Sequence, residues 1–135
     1  MGKENALDPL NDVESVHALL ATWLGSEASP AVLEQFAATQ HTEFSMVTTS
    51  GAVLAKADLL AALRTARNSS PDLRIEIAEF EVLLATADFT VVRFLERHHH
   101  AGRRSDRRTT AVLVIDAAER RFRWRTLHET DVSTG

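Results

Sequence analysis

The sequence predicts an α+β fold of three helices and about six strands, in which a strongly bent antiparallel sheet wraps the helices. Three observations support this class. Apolar residues recur at helical spacing early in the chain, alternate as in strands later, and change phase once within a long strand. A sheet bent in this way forms a cone, and a cone leaves an internal cavity between its strands and the helices.

The first helix is predicted from Asn11 onward. Val13 and Val16 begin a run of apolar residues that are mostly three and four positions apart, which places them on one stripe of a helix. Asn11 or Asp12 is expected to cap the N-terminus, and Gly25 follows the C-terminus.

A second helix and a hairpin are predicted next. Ser29 is a favoured capping residue and Pro30 suits the first helical position, so the helix is expected to begin there. Phe44 and Met46 then share one face of a strand, which turns at residues 50–51 and returns as a short second strand.

A third helix and four long strands complete the chain. Leu59 and Leu63 lie on one face of this helix, which residues 68–71 end because proline cannot continue it. The strands are predicted over four ranges, Leu73–Ala85, Phe89–His100, Arg107–Asp116 and Arg121–Asp131. Since the links between them are short, successive strands are expected to be antiparallel neighbours.

The first long strand contains a change of phase. Ile75 and Ile77 alternate on odd positions, whereas Phe80 and Val82 alternate on even positions. A slip of one residue would expose half of the apolar set unless the strand holds an extra residue. We therefore predict a β-bulge at residues 78–79, which bends the sheet.

Residue parity assigns the two faces of the sheet. Apolar residues on even positions of the last three strands are assigned to the cavity, and they are Val92, Phe94, Val112, Val114, Phe122 and Trp124. Odd positions mix Leu113 and Ile115 with arginines such as Arg93 and Arg123. We predict that this second face is a homodimer interface, the alternative being that arginine stems cover it.

The composition is that of a single globular domain. Of 135 residues, 44% are hydrophobic and 25% are charged, and none is cysteine, so disulfides and thiolate zinc ligands are excluded. One domain is predicted over residues 11–132, behind a disordered tail over residues 1–10. No apolar run approaches the roughly 20 residues that span a bilayer, and the N-terminal residues do not resemble a signal peptide. We therefore expect a cytoplasmic protein without a membrane partner.

Charge is distributed unevenly along the chain. Residues 1–90 contain 5 Lys and Arg against 13 Asp and Glu, whereas residues 91–135 contain 10 against 6. A basic half is typical of nucleic-acid-binding proteins, but these arginines alternate with apolar residues and the net charge of the chain is −4. We therefore expect no nucleic-acid partner.

Four segments of the sequence resemble one known family. They are FSMVTTSGAVLAKADLLAAL, LRIEIAEFEVLL, RRTTAVLVID and RFRWRTLHETDV, and the most specific piece is WRTLHET. From about Val13 to Val132 the chain resembles the nuclear transport factor 2-like superfamily, in its branch of SnoaL-like and calmodulin-kinase association-domain-like bacterial proteins of unassigned function. The resemblance implies a cystatin-like cone with a cavity, and often a homodimer packed through the sheet. Members include isomerases, dehydratases, cyclases and binding or assembly domains, so the fold does not select a function.

His128 is the central residue of the predicted site. It lies two pleats beyond Trp124 on the same parity, so it is expected to face the polar end of the cavity. The loop lengths place Thr110 and Glu96 beside it on neighbouring strands, with Arg108 one pleat further. Such a row could orient a ligand, act in general base catalysis, or only satisfy polar groups at the strand ends. The predicted ligand-binding residues are His128, Glu96, Arg108, Thr110, Trp124, Phe94, Val112 and His17.

The remaining histidines suggest less chemistry. His17 shares the apolar stripe of the first helix, where a ring bonded at the core edge is the main interpretation and ligand contact the alternative. His98 and His100 point to one side of their strand and His99 to the other, so a zinc ion would lack a third ligand. The 5 glycines form no phosphate-binding loop. We therefore predict no metal and no cofactor.

Three hypotheses for the function stay open. The first is a domain that binds a small apolar or amphipathic molecule in an apolar cavity with a polar rim. The second is a proton-transfer enzyme of isomerase or dehydratase type, with His128 as base and Glu96 orienting it. The third is an oligomeric assembly module. The resemblance implies a cavity aspartate in the family's enzymes, and the cavity-facing positions of the long strands hold none, which weakens the isomerase and cyclase hypotheses.

Overall fold

The computed structural model describes residues 7–132, which form three helices and six strands. The helices are α1 (Pro9–Gly25), α2 (Pro30–Thr39) and α3 (Lys56–Arg64), and the strands are β1 (Gln40–Val47), β2 (Val53–Ala55), β3 (Arg74–Ala85), β4 (Phe89–His100), β5 (Arg103–Asp116) and β6 (Arg121–Val132). They form one curved sheet in the order β2-β1-β6-β5-β4-β3. Its neighbouring strands are antiparallel except for β1 and β6, which are parallel. The predicted α+β cone is confirmed.

The helix α1 begins earlier than predicted. Asp8 caps it, because its side chain accepts hydrogen bonds from the backbone N–H groups of Leu10 at 3.0 Å and Asn11 at 3.3 Å. The prediction that Asn11 or Asp12 caps this helix is therefore wrong. The tail predicted over residues 1–10 lies mostly outside the described residues, and α1 occupies its last two positions.

The helices pack on one face of the sheet and enclose the core. α1 contacts α2 and β3, and α3 contacts β1. The indole N–H of Trp23 donates to the carbonyl of Leu63 at 2.7 Å, which ties α1 to α3. The core also contains the buried side chains of Val13, Phe36, Phe44, Phe94, Leu113 and Phe122. Within residues 7–132, no helix has both the length and the apolar character needed to cross a membrane.

The bulge predicted in β3 is confirmed. Ala78 pairs with Leu95 of β4, but the next pair joins Glu81 to Arg93, so two residues of β3 lie opposite one residue of β4 and β3 holds one extra residue. Glu79 has a φ of 50°, a left-handed conformation that non-glycine residues seldom adopt. A bulge bends its strand, and this strand contacts α1.

The turn between β4 and β5 is shorter than predicted. Ala101 and Gly102 have φ values of 54° and 73°, and His100 pairs with Arg103 across them. Two left-handed residues are typical of a type I′ hairpin turn. The strand β5 therefore begins four residues before the predicted Arg107.

A bulge also lies in β6. Leu113 pairs with Trp124, and the neighbouring Val112 pairs with Thr126, which leaves Arg125 as an extra residue. Because a strand alternates its side chains between two faces, the extra residue exchanges the faces of all later positions. Even residues of β6 face inward before Arg125, and odd residues face inward after it.

Candidate functional site

A cavity of about 380 Å³ lies between the inner face of the sheet and the helices. Most of its wall is apolar and is contributed by residues that include Val16, Leu20, Phe36, Phe44, Leu59 and Leu63. Its polar lining includes His17, Gln40, Glu96, His98, Arg107 and Glu129. The volume falls within the range of about 300–1,000 Å³ that is usual for small-molecule pockets.

Glu96 is the centre of the polar lining. Its Oε2 accepts a hydrogen bond from the Thr109 hydroxyl at 2.7 Å and lies 3.4 Å from His17 Nε2. Its Oε1 lies 3.0 Å from His98 Nε2. The whole residue is only 2% exposed, so three side chains replace the water that a carboxylate would otherwise bind. Both oxygens of this carboxyl group are occupied.

His17 and Glu96 form a buried ion pair. Burial by itself disfavours the charged imidazole, but the neighbouring Glu96 carboxylate outweighs it and raises the pKa of His17. Burial likewise disfavours the carboxylate, yet His17, His98 and Thr109 together hold the pKa of Glu96 far below its ordinary value. Glu96 therefore stays ionised, and the pair carries no net charge when His17 is protonated.

The ring of His17 is held in a fixed orientation. Its Nδ1 lies 2.8 Å from the carbonyl oxygen of Val13, so Nδ1 carries a proton and Nε2 faces Glu96. The ring meets Phe94 and Trp124 edge-on, at centroid distances of 5.4 and 5.8 Å. These contacts leave the imidazole little freedom to turn.

Arg107 and Glu129 form a second charged group in the cavity. Arg107 Nη1 lies 3.6 Å from Glu129 Oε2, and their side chains are 37% and 11% exposed. Burial and the nearby Glu96 carboxylate raise the pKa of Glu129 to about 7, although Arg107 and His17 act in the opposite direction. Glu129 is thus partly protonated at neutral pH, whereas Glu96 is not.

Four of the predicted site residues lie on the inner side of the sheet. Glu96, His17 and Trp124 line the cavity, and Phe94 packs against the His17 ring. The indole N–H of Trp124 also donates to Asp12 Oδ2 at 2.9 Å, which fixes the indole against α1.

The other four predicted site residues lie on the outer face, and their assignment to the cavity is wrong. His128, Arg108, Thr110 and Val112 line a shallow groove on that face. His128 is exposed, although it does pair with Thr110 as predicted. Arg108 Nη1 donates to Glu79 Oε1 at 2.8 Å, on the outer side of the β3 bulge.

Two local features cause this exchange of faces. The two-residue turn at 101–102 pairs even positions of β4 with odd positions of β5, so Thr109 and not Thr110 lies beside Phe94. The extra residue Arg125 then turns Glu129 inward and His128 outward.

The sequence held indications of the residues that were missed. Ala101-Gly102 is a compact turn pair, which favours opposite parity in the strands it joins and so an inward Arg107 and Thr109. The apolar phase of β6 also changes between Trp124 and Leu127, in the same way as the phase change that predicted the β3 bulge. The inward direction of Glu129 follows from that second change.

The three consecutive histidines divide between the two faces as predicted. His98 and His100 line the cavity, whereas His99 Nε2 lies 3.1 Å from Glu76 Oε1 on the outer face. Across residues 7–132, no group of three or more His, Asp or Glu side chains is arranged to hold a metal ion. The sequence-based expectation of no metal and no cofactor stays a prediction.

Comparisons with known proteins place this architecture in a family. No family model and no curated protein matches the sequence. Among solved structures, an NTF2-like protein of unknown function from Pseudomonas aeruginosa is 32% identical with a TM-score of 0.88, over 93% of this chain and 98% of that one. A protein of unknown function with a cystatin-like fold from Nostoc punctiforme is 10% identical with a TM-score of 0.69, over 95% and 96% of the two chains. A ketosteroid isomerase-like protein from Erwinia carotovora is 15% identical with a TM-score of 0.60, over 90% and 93%.

The first of these matches decides the family, and the other two show the fold. Identity of 32% extends over nearly the full length of both chains, and the backbones superpose along the same span. The chain belongs to the nuclear transport factor 2-like superfamily.

Proposed function

We propose that this protein binds a small, largely apolar molecule in the cavity, with the polar group of that molecule held by β5 and β6. The observation that carries the proposal is the composition of the lining. Apolar side chains form most of the wall, and Glu96, Arg107 and Glu129 lie on three adjacent strands. A few polar groups in an apolar pocket fix the orientation of a ligand.

The buried ion pair supports a functional role for this cavity. Removing two charges from water costs several kcal/mol per ion, so a pair such as His17–Glu96 is a poor means of stabilising a fold. Displaced pKa values inside a cleft are more typical of functional sites than of cores. The pair and Glu129 together give the cavity a defined electrostatic pattern that a ligand could match.

Ligand binding is tested by thermal unfolding with a library of small apolar molecules that carry one polar group. A ligand at 100 times its Kd stabilises the folded state by about 2.7 kcal/mol, which raises the Tm of a domain of this size by several degrees. Leu20→Phe narrows the cavity and is expected to reduce the rise.

Leu19→Phe is the matched control for this experiment. Leu19 precedes Leu20 on α1 and packs against the core without lining the cavity, so its substitution should leave the ligand-induced rise in Tm unchanged. The proposal would be contradicted if no molecule of the library raised the Tm, or if both variants reduced the rise in Tm equally.

Proton transfer is the second candidate function, and Glu129 is the observation that favours it. A catalytic acid or base works best with a pKa near the working pH, and that of Glu129 is raised to about 7. Glu96 has both oxygens occupied, and His128 faces outward, so the pair predicted for this role is replaced by Glu129. One structural neighbour bears the name ketosteroid isomerase-like, which agrees with a proton-transfer reaction.

We also propose a homodimer through the outer face of the sheet. Its arginines are paired with glutamates, as in Arg93–Glu81 and Arg97–Glu76, so the face offers little free positive charge to nucleic acid. Two consecutive apolar residues of β3, Leu83 and Leu84, are 43% and 52% exposed, and Leu84 pairs with Val91 beside these ion pairs. A second copy of the chain presents the same combination of ion pairs and apolar side chains, so the two surfaces can pack against each other across a two-fold axis.

The dimer is tested by light scattering coupled to size exclusion. Leu83→Glu introduces a charge into the exposed apolar run and is expected to shift the mass from two chains to one. Val53→Glu is the control, because Val53 is 70% exposed on β2 at the opposite edge of the sheet. A wild-type mass of one chain would exclude the dimer, and a larger assembly would favour the oligomeric-module hypothesis.

A further inference from the structure

Arg107 and Glu129 have unused hydrogen-bonding capacity inside the cavity. Their closest atoms are 3.6 Å apart, which is too long for a hydrogen bond. Among residues 7–132, neither side chain makes a hydrogen bond, although both line the cavity. A guanidinium group with five donors therefore lies next to a carboxyl group, and both are open to a guest molecule.

Glu96 provides the contrast within the same cavity. Its two oxygens are bonded to Thr109, His98 and His17, and it is fully enclosed. Glu129 lies on the adjacent inner surface, opposite Thr109 in the register of β5 and β6. The two carboxyl groups thus differ in role, since Glu96 is held by the protein and Glu129 is available to a ligand.

The charges around Glu129 come from three neighbouring elements as well as its own strand. Glu96, with His98 and His100, faces it from β4, Arg107 from β5, and His17 from α1, while Asp131 follows on β6. His17 and Glu96 cancel each other when His17 is protonated. Protonation of Glu129 then leaves the Arg107 charge uncompensated, so the cavity carries one excess positive charge.

We propose that Arg107 and Glu129 form a binding site for the carboxylate of a largely apolar monocarboxylic acid, and that Glu129 takes up a proton when this acid binds. The inference rests on the proposed ligand-binding function and names the chemical class of the ligand. The planar guanidinium of Arg107 binds a carboxylate through two parallel hydrogen bonds. The protonated carboxyl of Glu129 donates a further hydrogen bond to the same anion.

A monoanion fits this site better than a more highly charged group. Among the described residues that line the cavity, Arg107 provides the excess charge, and the negative charge of Glu96 acts on the same region. A second negative charge on the ligand would therefore meet repulsion without a partner. The apolar wall beyond Trp124 and Leu127 accommodates the hydrocarbon part of the acid.

The test is calorimetric titration with sodium octanoate and, as its uncharged counterpart, 1-octanol. Octanoate is expected to bind at least tenfold more tightly at pH 6.5 than at pH 8.5, whereas the binding of 1-octanol should not change with pH. Uptake of one proton limits the change in affinity to about tenfold per pH unit. At pH 7.5, buffers of different ionisation enthalpy should report proton uptake by the wild-type protein.

Two substitutions separate the roles of the two residues. Glu129→Gln keeps a donor but cannot ionise, so the tenfold difference in octanoate affinity between pH 6.5 and pH 8.5 should be lost. Arg107→Gln should weaken octanoate at least tenfold and 1-octanol less than twofold. Arg108→Gln is the matched control, because Arg108 is adjacent on β5 and faces outward.

The outcomes distinguish this inference from the function on which it rests. If 1-octanol binds, and neither Arg107 nor low pH increases the affinity for octanoate, the carboxylate site is overturned while cavity binding stands. If neither probe binds, both the site and the proposed pocket for such molecules are overturned. Proton uptake by the wild-type protein supports the site even if a variant fails to fold.

Discussion

Replacing Glu96 by alanine is expected to lower the free energy of unfolding by about 3–5 kcal/mol, because it leaves the buried His17 imidazolium without its partner. Thr109 and His98 also lose their hydrogen-bond acceptor. Urea unfolding measures the loss. The measurement belongs between pH 4.5 and 6.5, where the stability contributed by both groups is present.

The pH window follows from the two pKa directions. The pKa of Glu96 is held below its ordinary value of 4.5, so its contribution is present above pH 4.5 and is lost as the pH falls through the folded-state value. The pKa of His17 is raised above 6.5, so its contribution is present below pH 6.5 and is lost as the pH rises through the folded-state value.

Two variants serve as controls for the Glu96 result. Glu81→Ala removes an exposed ion pair with Arg93, whose side chains are 50% and 43% exposed, and should cost about 0–1 kcal/mol. The double variant His17→Phe with Glu96→Leu removes both charges and is expected to lose less than Glu96→Ala. Equal losses for Glu96→Ala and Glu81→Ala would contradict a buried ion pair.

Glu129→Gln is expected to stabilise the protein at pH 8.5. The pKa of Glu129 is about 7 in the folded protein against an ordinary 4.5, so the folded state binds this proton more tightly than the unfolded chain does. The contribution is therefore fully present below pH 4.5 and is lost as the pH rises through 7. Since tenfold in proton affinity corresponds to about 1.4 kcal/mol, the gain from the substitution is about 1–3 kcal/mol.

The comparison of Glu129→Gln with the wild-type protein at low pH is the control for this result. At pH 4.5 the Glu129 carboxyl is protonated in the folded state, so the substitution should change stability little beyond the small difference between an acid and an amide. Urea unfolding curves of the variant and the wild-type protein at pH 4.5, 6 and 8.5 measure how the gain in stability grows with pH. A gain that is the same at all three values would show that Glu129 does not titrate near neutrality.

Most of the fold could be predicted from the sequence because it depends on local patterns. The limits of β4 follow from the run between Phe89 and His100, and the β3 bulge follows from a change of phase around Ala78. The parallel pairing of β1 with β6 could not be derived in this way, since it joins residues about 80 positions apart, such as Ser45 and Thr126. Local alternation carries no information on such distant pairs.

The site was predicted only in part, because the face to which a side chain points depends on the number of residues in every turn and bulge that precede it. The inward direction of Glu96 follows from the unbroken strand that it shares with Phe94, but its neighbour on β5 is Arg107 and not Thr110. Beyond the turn at 101–102, each assignment required the exact number of residues in the turn and in every bulge. One uncounted residue at Arg125 was enough to substitute His128 for Glu129.

The same bulge decides which kinds of sequence change could alter the chemistry of the binding chamber. His128 and Glu129 are adjacent, and the pairing of Glu129 with Thr109 keeps the acid turned toward the interior. A slide of β6 that straightened the bulge without removing a residue would exchange this acid for an imidazole. Deletion of Arg125 would remove only the extra residue of the bulge and leave both side chains on their present faces.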